Sequence, residues 1–161
     1  MAPTNDNEIN QKIGILLRRE IEAKLIIKLR DFMSKELGEN KTRHIIREVI
    51  KGIAIDQGNE LSKIKGNSLD AFIDRQEPWT RDGSLETEII KKDSKSYHYN
   101  VTKCKYSEMY KLMGLEEIGF DLSCNRDFNL VAGFNKNIKL KRTKTLMQGD
   151  SYCDFRYDVE N

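Results

Sequence analysis

Apolar side chains recur at steps of three and four residues through the first part of the chain, a spacing that is typical of an amphipathic helix. The pattern predicts a helix over about residues 5–37, with Gly38 as its C-cap. Its apolar positions share one face, and they are Ile9, Ile13, Leu16, Leu17, Ile21, Leu25, Leu29, Phe32 and Met33. So long a stripe packs either within the domain or across a homodimer.

A second apolar stripe predicts another helix over about residues 40–66. Gly58 lowers the helix propensity of this segment, which allows a break near that residue. A short third helix is expected after Ser68, because a serine hydroxyl suits a helix N-terminus. The first half of the chain is therefore predicted to be helical.

The hydrophobic period changes to two in the second half, as it does along strands. The alternation predicts a hairpin with strands around residues 85–89 and 97–101. After this hairpin we expect a helical segment over 105–123, strands over 137–147 and 152–159, and a tight turn at 149–151.

Helices followed by a mostly antiparallel sheet indicate an α+β fold. We expect the N-terminal helices to pack on the C-terminal sheet, which carries short inserted helices. The 161 residues suit a single domain over 1–161, with a helical part at about 5–76 and a strand-rich part at about 84–160.

Composition narrows the classes of protein. There is no run of about 18 apolar residues, so we expect no integral membrane protein. The 28 basic and 26 acidic residues give a net charge of +2, which offers no electrostatic reason to expect nucleic acid binding. The first twenty residues lack a signal-peptide pattern and the cysteine count is odd, so we expect a cytoplasmic protein with reduced thiols.

The three cysteines, Cys104, Cys124 and Cys153, do not form a CxxC pair and so lack the signature of a structural zinc site. One interpretation makes each a small buried apolar residue. A sharper one makes Cys153 a nucleophile, which requires a nearby cation to lower its pKa. A three-cysteine metal site is the third alternative.

The last predicted strand places Cys153 on its core-facing side and Asp154 and Arg156 on the other side. These charges form either an exposed ladder of ion pairs or one wall of a pocket. In a pocket, Arg156 or Arg142 would hold a substrate carboxylate through two hydrogen bonds, and Asp154 would act as a general acid or base.

A second polar group, Cys124, Arg126 and Asp127, follows the predicted helix over 105–123. The segment is either a capped turn after a helix or part of an active site. The sequence contains no Walker loop, dinucleotide fingerprint, nucleophile elbow or HExxH motif, so we expect no cofactor and no metal.

Several ordered phrases occur along most of the chain: RREIEA (18–23), NVTKCKY (100–106), GLEEIG (114–119), SCNRD (123–127), RTKT (142–145), QGD (148–150) and CDFRY (153–157). In this order they resemble the L-2-amino-thiazoline-4-carboxylic acid hydrolase family. The basic strand, the Gly-Asp turn and the Cys-Asp-Phe run are also similar, more distantly, to the end of 4-vinyl-reductase-type ligand-binding domains, which are α+β.

The resemblance implies a small-molecule substrate, L-2-amino-thiazoline-4-carboxylate, whose ring opens to N-carbamoyl-L-cysteine on the route to cysteine. This chemistry needs a nucleophile or activated water, a proton donor and a cation for the carboxylate. The candidates for these tasks are Cys153 or Cys124 as nucleophile or polar wall, Asp127 or Asp154 as acid or base, and Arg126, Arg156 or Arg142 as carboxylate clamp, with Tyr99 and Tyr106 lining the pocket.

Two other classes of function fit the same sequence: a non-catalytic small-molecule-binding domain and a cysteine-based metal-binding protein. The hydrolase interpretation requires the polar candidates to converge on one pocket. The metal interpretation requires the three sulfurs to lie within about 4 Å of one another, given Zn–S bonds near 2.3 Å.

Overall fold

The computed structural model describes residues 5–160, which form the expected α+β fold. The helices are α1 (Asp6–Leu37), α2 (Glu39–Lys65), α3 (Leu69–Ile73), α4 (Glu77–Thr80), α5 (Lys105–Leu112), α6 (Glu116–Gly119) and α7 (Asn125–Phe134). The strands are β1 (Leu85–Lys92), β2 (Ser96–Cys104), β3 (Ile138–Lys141) and β4 (Cys153–Val159). Of the helices within residues 5–160, none combines the length and apolar character that a membrane crossing needs.

The four strands form one antiparallel sheet in the order β1-β2-β4-β3. The predicted hairpin of β1 and β2 is confirmed, and the Asp93 carboxylate closes its turn by accepting the backbone N–H groups of Lys95 and Ser96. Aromatic rings cover the buried face of the sheet, where Tyr99 stacks on Phe155 with their ring centroids 4.9 Å apart.

The predicted strand over 137–147 is wrong beyond residue 141, where β3 ends. The chain leaves the sheet because two carboxylates bind its backbone. Asp154 accepts the N–H groups of Thr143 and Lys144, and Asp150 accepts that of Thr145. The predicted turn at 149–151 is confirmed, with Gly149 in the left-handed region at φ 98°.

Helix α1 spans the predicted residues with a kink at Gly14 (φ 72°), but the predicted apolar face is not the one it buries. Its buried positions are Asn10, Gly14, Ile15, Arg19 and Ala23, whereas Leu17, Ile21, Leu25, Leu29 and Phe32 are exposed. The reason is that Arg19 and Glu22 turn inward, where Glu22 forms ion pairs with Arg19 and with Arg126 of α7. Polar bonding therefore decides which face of α1 meets the protein.

Helices α2 and α7 touch backbone to backbone where two glycines cross. A β-carbon at Gly58 would overlap the carbonyl oxygen of Leu130, and one at Gly133 would overlap that of Ile55. The break allowed near Gly58 does not occur, and α2 runs on to Lys65. Gly58 serves the close approach of the two helices rather than a break in α2.

The capped turn considered at 123–128 is also wrong, because the chain stays helical from Glu116 to Phe134 through α6, one wide turn and α7. In the wide turn, over Phe120–Cys124, the N–H of Asn125 reaches back five residues to the carbonyl of Phe120. Such a turn rotates the side chains that follow it and is frequent at functional sites.

Replacing Gly133 with alanine is expected to destabilise the fold by about 1–3 kcal/mol, since the new methyl group meets the backbone of α2. Urea unfolding followed by circular dichroism measures the change. Gly52→Ala is the matched control, because nothing lies within 4 Å of its β-carbon position. That helical substitution should stabilise the protein by up to about 1 kcal/mol. Equal effects of the two substitutions would contradict the helix contact.

Candidate functional site

A buried cavity lies between α1, α4, the sheet and the long helix that ends in α7. Its volume is about 60 Å³, which is room for roughly four to six waters or a small substituted ring. The side chains around it are Ile15, Arg19, Trp79, Leu85, Val101, Cys104, Tyr106, Ser123, Cys124, Arg126, Asp127, Leu130, Arg142, Cys153 and Phe155. A mostly apolar wall thus surrounds a small convergent polar set.

Arg126 is the most constrained cation of this set. Its Nε donates to the Leu122 carbonyl at 2.7 Å, and its Nη2 donates to Glu22 Oε2 at 2.8 Å. The residue is 4% exposed, yet its Nη1 has no hydrogen-bond partner. Burial, reinforced by the neighbouring Arg19, lowers the pKa of Arg126 to about 9. An anion in the cavity would give Nη1 a hydrogen-bond partner and would raise the pKa of Arg126 toward its usual value.

Glu22 joins the two arginines that line the cavity. Its Oε2 lies 2.9 Å from Arg19 Nη1 and 2.8 Å from Arg126 Nη2. Burial alone would raise the pKa of Glu22, but Arg19 and Arg126 outweigh it and hold that pKa below its usual value. Arg18 Nε also lies 2.8 Å from Glu22 Oε1, so three guanidinium groups share one carboxylate, which leaves this side of the cavity positively charged.

Asp127 and Arg142 form the second charged pair at the cavity. Arg142 Nη1 lies 2.6 Å from Asp127 Oδ2, and Arg142 Nη2 donates to the Cys124 carbonyl at 2.7 Å. The guanidinium also lies 4.9 Å from the ring centroid of Phe128 and 4.8 Å from that of Phe155. Desolvation raises the pKa of Asp127 while Arg142 opposes the rise, so this carboxyl exchanges its proton closer to neutral pH than an exposed aspartate.

All three cysteines lie at the cavity as free thiols. Burial raises the pKa of Cys104 to about 11 and raises the pKa values of Cys124 and Cys153 as well. The Sγ of Cys153 accepts the Leu146 N–H at 3.2 Å. The resting side chains are therefore thiols rather than thiolates. Among residues 5–160, no group of three or more His, Cys, Asp or Glu side chains is arranged to hold a metal ion.

Two candidates from β4 lie away from this cavity. Asp154 and Arg156 alternate with the buried Cys153 and Phe155, and so they point to the other face of the sheet. Asp154 binds the loop after β3 through Thr143, and Arg156 donates to the Tyr99 carbonyl and the Asn100 side chain.

Of the two tyrosine candidates, Tyr106 lines the cavity and Tyr99 does not. Tyr106 lines the cavity and donates through its hydroxyl to the Trp79 carbonyl at 3.0 Å. Tyr99 lines a narrower adjoining space of about 40 Å³, which shares Asp127 with the cavity.

Trp79 is shared by these two spaces and by a groove at the surface. It lines the cavity, the adjoining space and an open groove of about 1330 Å³ bordered by α1, α2, α3 and α4. Arg75 lines both the groove and the adjoining space, and its Nη2 has no hydrogen-bond partner. Trp79 thus lies at both the groove and the cavity.

Sequence reasoning did not select Arg19, Glu22 and Trp79 as residues of the site. Arg19 and Glu22 belong to a helix whose apolar stripe pointed elsewhere, and Trp79 comes from a four-residue helix. The one usable signal was the run of charged residues at 18–22 inside a predicted helix, because burying a charged side chain costs free energy unless it is paired.

Comparison with known proteins places this chain in a family. The profile of the L-2-amino-thiazoline-4-carboxylic acid hydrolase family matches residues 18–157. No curated protein matches the sequence.

Two solved structures are similar to this chain over most of its length. One is the phenol-responsive sensory domain of the transcription activator PoxR with phenol, at a TM-score of 0.49 and 13% identity, covering 90% of this chain and 76% of that one. The other is a trafficking protein particle complex subunit 3 from Naegleria fowleri covalently bound to palmitic acid, at a TM-score of 0.47 and 12% identity, covering 90% of this chain and 96% of that one.

The family profile covers most of the chain, and the protein therefore belongs to the L-2-amino-thiazoline-4-carboxylic acid hydrolase family.

Proposed function

We propose that the protein hydrolyses a small cyclic amidine that carries a carboxylate: L-2-amino-thiazoline-4-carboxylate or a close analogue. The observation that carries the proposal is the buried Arg126, which has an unpartnered Nη1 and lines the same cavity as Asp127, Cys124 and Cys153. Membership of the hydrolase family supports the reaction class.

The substrate carboxylate binds Arg126 in this proposal. A carboxylate would give Nη1 its missing partner and would balance the positive side of the cavity that Arg19 and Arg126 create around Glu22. Trp79 and Phe155 then pack against the ring, and the small volume excludes bulky substrates.

The ring opens by addition of water to C2, the carbon between sulfur and the ring nitrogen. Asp127, held by Arg142, takes one proton from the water as its oxygen bonds to C2. The C2–S bond then breaks, its electron pair stays on sulfur, and Asp127 returns the proton to form the thiol. The second water proton ends on the ring nitrogen, so the product from the thiazoline is N-carbamoyl-L-cysteine.

Water rather than a cysteine is the attacking group in this scheme, because burial raises the pKa values of the three thiols. Cys124 and Cys153 then serve as polarizable walls near the leaving sulfur. A covalent route through Cys153 would require a shift of its pKa on substrate binding.

A second candidate function is non-catalytic binding of a small carboxylate. The neutral thiols and the enclosed, mostly apolar wall favour it, since both suit a ligand-binding domain as well as an enzyme. The two candidates share the cavity and the role of Arg126, and they differ in whether Asp127 moves a proton.

Incubation with L-2-amino-thiazoline-4-carboxylate is expected to release new thiol over many turnovers. The ring sulfur is not a thiol whereas the product has one, so a chromogenic disulfide reagent reports the reaction once the three protein thiols are subtracted. Binding without thiol release would reject hydrolysis of this substrate and favour the binding domain. Absence of both would reject this substrate altogether.

Arg126→Met is expected to weaken carboxylate binding by about 10- to 100-fold, the usual value of a charged hydrogen bond. Trp79 is the only tryptophan and lines the cavity, so its fluorescence follows binding. Arg156→Met, on the other face of the sheet, is the matched control and should bind normally.

Ligand chemistry provides a second test of Arg126 that does not depend on how the variant folds. The carboxamide analogue should bind the wild-type protein as weakly as the carboxylate binds Arg126→Met. Equal affinity for the amide and the carboxylate would show that Arg126 does not hold the carboxylate.

Asp127→Asn is expected to lower kcat by about 10²- to 10⁴-fold, the range of a general acid or base. Turnover of the wild type should fall at low pH with an apparent pKa above that of an ordinary aspartate. The reason is that burial raises the pKa of Asp127, so this base becomes protonated at a higher pH. The Asp154→Asn variant should keep the wild-type dependence of turnover on pH.

Cys153→Ser should retain turnover within about tenfold. Complete loss of turnover in this variant would instead establish covalent attack by the Cys153 thiol.

A further inference from the structure

Helix α1 carries a row of large apolar side chains that no other part of residues 5–160 covers. We call this row the outer stripe; it consists of Leu17, Ile21, Leu25, Leu29 and Phe32. Steps of three and four place the five on one face. Leu25 is 63% exposed and Phe32 67% exposed, whereas Ala23, on the opposite face, is 1% exposed.

The area of the outer stripe is large for a monomer. At these exposures the five side chains present on the order of 600 Å² of apolar surface, the upper end for the largest patch on a monomeric protein. A standard protein interface buries about 800 Å² on each partner, so the stripe and its polar border match one half of such an interface. Single exposed residues such as Leu112 are ordinary by comparison.

The charges beside the outer stripe have mixed sign. Glu20, Lys24, Lys28, Asp31 and Lys35 follow one another along the helix. A helix that binds anionic lipid usually has a uniformly basic border. Here Glu20 is paired with Lys24 and Asp31 with Arg30 within the helix, so apolar area rather than charge selects the partner. A second copy of the chain presents an apolar stripe of equal area.

We propose that a second copy of this chain covers the outer stripe, through antiparallel pairing of the two α1 helices about a two-fold axis near Leu25. This pairing sets Ile21 of one copy against Leu29 of the other, and Leu17 against Phe32. The contact is isologous, so it closes as a dimer and does not propagate. The buried face of α1, with Arg19 and Glu22, remains free for the cavity.

The mass of the full chain in solution tests the proposal. Light scattering during gel filtration should give twice the 18.8 kDa of the chain at micromolar concentration. Leu25→Glu and Ile21→Glu should each weaken dimerisation at least about 100-fold and yield monomers, because each places an unpaired carboxylate in the contact. Both should keep the wild-type circular dichroism, since these side chains are already exposed.

Leu112→Glu is the matched control, being the same change at an exposed leucine outside the outer stripe, and it should remain dimeric. A monomeric wild type, or a Leu25→Glu variant that stays dimeric, would overturn the proposal. Sedimentation of a monomeric wild type with phosphatidylcholine–phosphatidylglycerol vesicles would overturn it in favour of a lipid surface.

Cysteine cross-linking tests the direction of the helices. A mixture of Leu17→Cys and Phe32→Cys chains should form a disulfide-linked heterodimer under mild oxidation, while each variant alone should form far less. The reverse result, strong self-linking of Leu17→Cys, would show a parallel contact and reject the antiparallel arrangement.

Discussion

The backbone contact between α2 and α7 at Gly58 and Gly133 determines where the site lies. No side chain stands between the two helices there, so α7 has no room to slide toward α2. A second anchor holds the other end of the same helical stretch, where Asp121 accepts hydrogen bonds from Arg43 and Arg47 of α2. The wide turn at Phe120–Cys124, which contains Asp121, then directs Cys124, Arg126 and Asp127 to the cavity. The position of the polar set is thus a property of helix packing rather than of a mobile loop.

This arrangement buries the charged side chains of Arg126 and Arg142, which costs desolvation free energy. Glu22 neutralises Arg126 only in part, and Arg142 is held against Asp127 among aromatic rings. Buried ion pairs seldom stabilise a fold more than well-packed apolar residues of the same size would. The presence of two such pairs around one small cavity is therefore better explained by what the cavity binds than by the stability of the protein.

Hydrophobic periodicity predicted the long helices and the first hairpin, because burial against the rest of the chain dominates those segments. It failed where polar bonds decide the structure. The inward Arg19 and Glu22 select the buried face of α1, and the Asp154 carboxylate ends β3 early. Strand alternation correctly separated Cys153 from Asp154 and Arg156. It could not say which side bore the cavity, since that depends on contacts with α1 and α7, which are far away in sequence.

Helix α1 faces two ways, with the outer stripe on one side and Arg19 and Glu22 on the other. A rigid helix moves as a unit, so a displacement that alters one face also alters the other. If pairing of two chains shifts α1 relative to α7, the distance between Glu22 and Arg126 changes with it. Thermodynamic linkage then makes the coupling reciprocal: the factor by which pairing changes ligand affinity equals the factor by which the ligand changes pairing. Ligand concentration would in that case set the balance between one chain and two.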